Sequence, residues 1–136
     1  TVEEVTPVLD AYRSAGGRGP AALQVHVAHA DTEAAASALV RDQWLHGVIT
    51  PPRTWDVEQP EDFVALAGDP SDEELRRAVV PSADLDEIAG RTAAMLAVGF
   101  DRLYLHEISR DQLGYLAGTG PALLARLRTL TPGDPR

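Results

Sequence analysis

Two segments of alternating apolar character constrain this chain more than any other feature. The first, Ala22-Leu23-Gln24-Val25-His26-Val27-Ala28, is bounded by Gly16-Gly17-Arg18-Gly19-Pro20 before it and by Asp31 after it. The second, Arg102-Leu103-Tyr104-Leu105-His106-Glu107-Ile108, is entered through Gly99-Phe100-Asp101. Each segment is preceded and followed by helix signals. The order is therefore helix, strand, helix, insertion, helix, strand, helix, which predicts parallel strands joined by a right-handed crossover. The fold class that follows is α/β. A parallel sheet needs cover on both faces and neighbours at both edges, so two strands alone leave the sheet incomplete and predict that further strands are supplied from elsewhere.

The helices announce themselves by their starts. Asp31 is placed to cap a helix from Thr32 to about His46, with Ala35, Ala38, Leu39 and Leu45 at helical spacing. Ser71-Asp72-Glu73-Glu74 and Ser109-Arg110-Asp111-Gln112 both have the form of a capping box, the second opening a helix that runs to about Leu127. Ser82 or Asp84 caps a helix that runs through Val98 and stops at Gly99. In the opening segment, Pro7 suits a first helical turn after Thr6 better than a helix interior. Between these elements, Val48 to Pro60 is so dense in proline that no regular element of any length fits, which predicts an excursion over the surface. The segments are then 1–20, a helix and turn leading in; 21–47, strand and helix; 48–81, an insertion or lid; and 82–136, a helix, the last strand and a final helix.

Composition narrows the chemistry. The chain has 136 residues, 44% of them hydrophobic, enough for one globular domain with a core. Its net charge of −9 and pI near 4.7 oppose a phosphate backbone or an anionic membrane surface, so neither nucleic acid nor membrane is an expected partner. No apolar run approaches the roughly 20 residues that span a bilayer, and the start is not a signal peptide; a cytoplasmic location is expected. Cysteine is absent, which removes disulfides, thiolate nucleophiles and Cys-ligated metals. Lysine is absent too, which removes Schiff-base chemistry, and every basic side chain apart from His is Arg. The first residue is Thr rather than Met, which suggests a segment cut from a longer chain.

Few residues stand out as site candidates. His106 lies at the C-terminal end of the second strand, where its ring can donate to a substrate or cofactor oxygen or simply pack as a structural histidine. His26 has the same two readings, and His26 with His29 face opposite ways on a strand and make a poor metal pair. No metal site is expected. Trp44 and Trp55 could line a hydrophobic pocket, but Trp44, near Ala35, Ala38 and Leu45 in its helix, reads better as core, and Trp55 remains open. Ser82 either caps a helix or binds an anion at a helix N-terminus. Asp111 and Gln112 read as capping and first-turn residues.

The tail Gly99-Phe100-Asp101-Arg102-Leu103-Tyr104-Leu105-His106, then Asp111-Gln112 and Leu123-Leu124-Ala125-Arg126-Leu127-Arg128, resembles the last strand and helix of luciferase-like flavin- or deazaflavin-dependent oxidoreductases. It is similar to the branch that holds deazaflavin-dependent glucose-6-phosphate dehydrogenase and its non-deazaflavin relatives. Gln24-Val25-His26-Val27, Asp31-Thr32-Glu33-Ala34-Ala35, Asp42-Gln43-Trp44, Gln59-Pro60-Glu61-Asp62-Phe63 and Val80-Pro81-Ser82 agree in order. The resemblance implies the C-terminal portion of a (β/α)8 TIM-type barrel: its last two parallel strands, flanking helices and a Pro-rich insertion. It implies a parent enzyme, an oxidoreductase or monooxygenase using FMN or a deazaflavin coenzyme bound mainly by residues outside this chain, and acting on a small organic substrate. This segment by itself is not expected to be active.

The resemblance also implies roles for two arginines. In the sugar-phosphate branch an Arg just ahead of the Val-x-Ser segment holds substrate phosphate, and Arg76-Arg77 stand there; Arg77 otherwise reads as part of a charged, solvated helix face. The branch's phosphate lysine falls at about Thr54, beside Arg53, which could replace it only if the loop presents Arg53 inward. Glucose 6-phosphate is accordingly a poor fit. The hydrophobic pocket that Trp44 and Trp55 could line would, under the resemblance, take the flavin or an aldehyde. The partners implied are the small substrate and either the remaining barrel strands or a homo-oligomeric copy. Two other readings stay open: a non-catalytic truncated homologue that associates through exposed strand edges, and a metal-dependent hydrolase built on His26, His29 and His106.

Overall fold

The computed structural model describes residues 1–131, so the last five residues of the 82–136 segment lie outside the described residues. Helix α1 spans Val2–Ser14, and strand β1 Ala22–His29. Helix α2, Glu33–Trp44, runs into a 3-10 turn at Leu45–Val48. Turns then lead to α3, Pro60–Ala67, and α4, Asp72–Ala78. Strand β2, Val80–Ser82, precedes α5, Leu85–Leu96, and β3, Arg102–Glu107. A short α6, Gln112–Gly114, continues through a π turn at Tyr115–Thr119 into α7, Gly120–Leu130.

The sheet is parallel throughout, in the order β2-β1-β3. The α/β class stands, with one strand more than the sequence suggested. β2 comes from the end of the expected insertion and pairs only with the tip of β1, Val27↔Val80 to His29↔Ser82. β1 and β3 pair along their length, from Ala22↔Arg102 to Val27↔Glu107.

The two faces of the sheet are treated differently. Val25 and Val27, with Leu23, Leu103 and Leu105 beside them, pack on Ile88, Ala89, Ala93 and Met95 of α5 and on Leu123 and Leu127 of α7. The opposite face is closed only at its C-terminal end, where Ala28 and Ile108 meet Val40 of α2, Leu75 of α4 and Val79. Further down this face Gln24 and Tyr104 are exposed, Tyr104 at 54%. Parallel sheets ordinarily have both faces covered, so a half-open face is the unusual feature of this fold.

Several local expectations are corrected. Pro7 sits inside α1, because Thr1 and Glu4 form a capping box that starts the helix at Val2; Pro7 is exposed there and forgoes one backbone hydrogen bond. Thr32 and not Asp31 caps α2, its Oγ1 accepting from the Ala35 N–H at 3.1 Å. The buried stripe of α2 is Ala36 and Val40, while Ala35 and Ala38 are exposed. Asp84 caps α5 and Asp111 caps α6, so neither Ser82 nor Ser109 serves as N-cap. At Gly99, φ is +128°, a conformation that disfavours any side chain and turns the chain from α5 into β3. Among the described residues no helix is long and apolar enough to cross a membrane.

Candidate functional site

Alternation along a strand sends even-numbered residues of β1 and β3 to the half-open face, and the register places His26 directly beside His106. Their Nδ1 atoms lie 2.8 Å apart, the rings nearly perpendicular at 75°. At that distance one ring must donate and the other accept, so one proton serves both Nδ1 atoms. Gln24 and Tyr104 form the next register pair on the same face.

Trp44, the last residue of α2, covers the pair. Its ring centroid is 4.5 Å from that of His26 and 5.0 Å from that of His106. The row continues outward: His46 lies 4.7 Å from Trp44, and Phe63 of α3 lies 6.1 Å from His46. Gly47 makes this arrangement possible, since a Cβ there would stand 2.4 Å from Trp44 Cδ1. Burial, followed by the nearby rings of His106 and His46, pushes His26 below the ordinary histidine value, so the neutral form is favoured.

Of the four residues singled out from the sequence, the structure joins His26 and His106 and leaves the arginines apart from them. Arg77 is exposed and paired with Glu73 one turn earlier, Nη2 to Oε1 at 2.6 Å, in line with a charged helix face. It borders, with Arg76, Arg91 and His26, a cavity of 180 Å³ along the open part of β1. Arg53 is exposed on the excursion and donates to the Leu66 carbonyl at 3.3 Å, so it is not presented toward the histidines. Trp55 is 76% exposed. Ser82 is fully buried, with Oγ 2.8 Å from both Glu33 Oε1 and Glu87 Oε2. The Glu33 carboxylate also takes the Ala83 N–H, so the place an anion would occupy near the start of α5 is already filled. His29 points to the other face, and among the described residues no group of three His, Asp or Glu side chains is arranged to hold a metal.

His46 is the site residue that sequence reasoning missed, and Trp44 was weighed there but read as core. The spacing of Trp44 marked it as core, and it does pack on the second apolar cluster. That the same indole also covers two histidines depends on the end of α2 meeting the sheet, which no local pattern announces. Glu107 is buried at 4% on the opposite face, where the Ser109 N–H and hydroxyl donate to it; burial and this acid both push Tyr115 above its ordinary value. Searched against protein families and against curated proteins, the chain matches none.

Proposed function

We propose that this chain is the C-terminal part of a (β/α)8 barrel oxidoreductase that uses FMN or a deazaflavin on a small organic substrate. The single observation that carries the reading is the half-open face of the parallel sheet, where His26 and His106 meet beneath Trp44. A polar, aromatic face toward the C-terminal ends of parallel strands is where barrel enzymes place their chemistry. The direct pairing of β1 with β3 is also what two successive barrel strands require, with β2 then belonging to the insertion between them. Among the described residues no strand lies beside the outer sides of β2 and β3 or the lower part of β1, and the last two are where further barrel strands would pair.

The residues present suit the ring and substrate end of such a site. Two imidazoles, an indole, the Gln24 amide and the Tyr104 phenol offer stacking surface and hydrogen bonds to a flat heteroaromatic ring or a carbonyl oxygen. The cofactor's phosphate anchor belongs, in this reading, to strands outside the chain. When bound, the flavin would supply hydride transfer or oxygen activation. The chain's own share is to orient substrate with His26 and His106, to hold the proton they share, and to exclude water with Trp44. With Arg77 engaged by Glu73 and no lysine present, an uncharged substrate fits better than a sugar phosphate.

The test uses the protein as encoded, with this segment in place. It should purify with flavin absorbance or take up added FMN or deazaflavin. His106→Ala should lower turnover about 100-fold, a usual size for a lost proton-handling group, with little change in cofactor affinity. A colourless protein that ignores both cofactors would overturn the reading. A second reading is favoured by one observation, a 590 Å³ groove along β3 and α7 lined by Leu96, Leu103, Leu105, Leu116, Leu124 and Leu127. A chain that binds no flavin but self-associates through this edge would be an association module.

A further inference from the structure

We infer that the His26–His106 pair is a pH-operated latch that holds the end of α2, and with it the Pro-rich excursion, against the sheet. The inference stands on geometry and is independent of the flavin reading. The Nδ1 atoms are 2.8 Å apart at register-paired positions on adjacent strands, so the backbone fixes the roots of both rings. A first added proton can sit on an outer Nε2 and leave the contact intact. A second proton puts N–H groups on both Nδ1 atoms facing each other, and one ring must then turn away.

Rotation of either ring breaks its contact with Trp44. The indole lies 4.5 Å from one ring and 5.0 Å from the other. Behind it stand Gly47, with no room even for a Cβ, and His46. Trp44 is the joint between α2 and the 3-10 turn, and through His46 and Phe63 the contact reaches α3, beyond the excursion. A turned histidine therefore loosens the segment from Leu45 to Ala67 as a unit.

Burial, then His106 and His46, oppose protonation of His26. His106 faces His26 from β3, and His46 faces it from the 3-10 turn. Across the small cavity that His26 borders stand Arg76 and Arg77 of α4, Arg91 of α5 and Glu4 of α1. Each arginine has a carboxylate partner of its own, Glu33, Glu73 and Glu87 respectively. The depressed His26 sets the sign. The closed form is at full strength above the ordinary histidine value of 6.5 and is lost as pH falls below it through the lowered value.

Trp55→Phe leaves Trp44 as the sole tryptophan and the natural reporter. Between about pH 8 and about pH 5, spanning the histidine range, its emission should shift to the red and tryptic cleavage after Arg53 should accelerate severalfold, while far-UV dichroism holds. In His106→Gln, whose amide oxygen can accept from a protonated His26, the transition should be largely lost, and in His26→Gln/His106→Gln it should vanish. Nitrogen NMR of the unsubstituted protein provides a test that needs no variant: at the upper pH one Nδ1 should be protonated and the other bare. A flat Trp44 response, an unchanged transition in the double variant, or two Nδ1 atoms in the same state would each overturn the latch.

Discussion

Thr32 shows how finely a local signal divides. Asp31 and Thr32 are adjacent and both are good caps, and the sequence alone favours the acid because an anion at a helix N-terminus is favourable. Thr32 instead has the extended backbone of a cap, φ −140° and ψ 155°, with its hydroxyl on the Ala35 N–H. Thr32→Ala should therefore cost about 1 kcal/mol, and Asp31→Ala only a few tenths, in the midpoint of chemical denaturation. Equal losses would mean that the cap alternates between the two. His26 and His106 were legible one at a time, as ring nitrogens at plausible places. Their contact was not, since it depends on which residue of β1 stands beside which residue of β3, and register is set by pairing between segments far apart in the chain.

At the scale of elements, the strongest packing lies between α5, α7 and the closed face of the sheet. Ile88 is wholly buried among Val25, Val27, Val80 and Leu123, so Ile88→Ala removes apolar contact and leaves a cavity. It should cost about 2–5 kcal/mol in equilibrium unfolding; a loss under about 1 kcal/mol would mean the face is loosely packed. β1, β3, α5 and the start of α4 were legible because alternation, a glycine stop and a capping box are each written within a few residues. β2 was not. Three residues with a proline at the centre carry no period, and Val80-Pro81-Ser82 is a strand only because the tip of β1 is available beside it. The stripe of α2 was misplaced by one residue for a related reason: in an alanine-rich helix the buried side is set by what it packs on, here Leu75 and Val79.

At the scale of the molecule, what the sequence predicted and the structure shares is a parallel sheet flanked by helices. The short reach of β2 leaves the two sides of β1 unequal among the described residues. The carbonyls of Ala21 and Val27 accept from β3, or from the residues just beside it, so odd-numbered backbone groups of β1 turn toward β3. The even-numbered ones turn the other way, where β2 stands opposite only residues 27–29. Gln24 and His26 thus direct their N–H groups to a side without a sheet partner among the described residues, while Leu23 and Val25 direct theirs into the ladder. β1 should then exchange its amides with deuterated water at two speeds in strict alternation, Gln24 and His26 early, Leu23 and Val25 late. Uniform protection along β1 would mean that its other side is already occupied. A single strand would in that way serve as a gauge of its own neighbours, with every second amide timing whether something has come to lie alongside it.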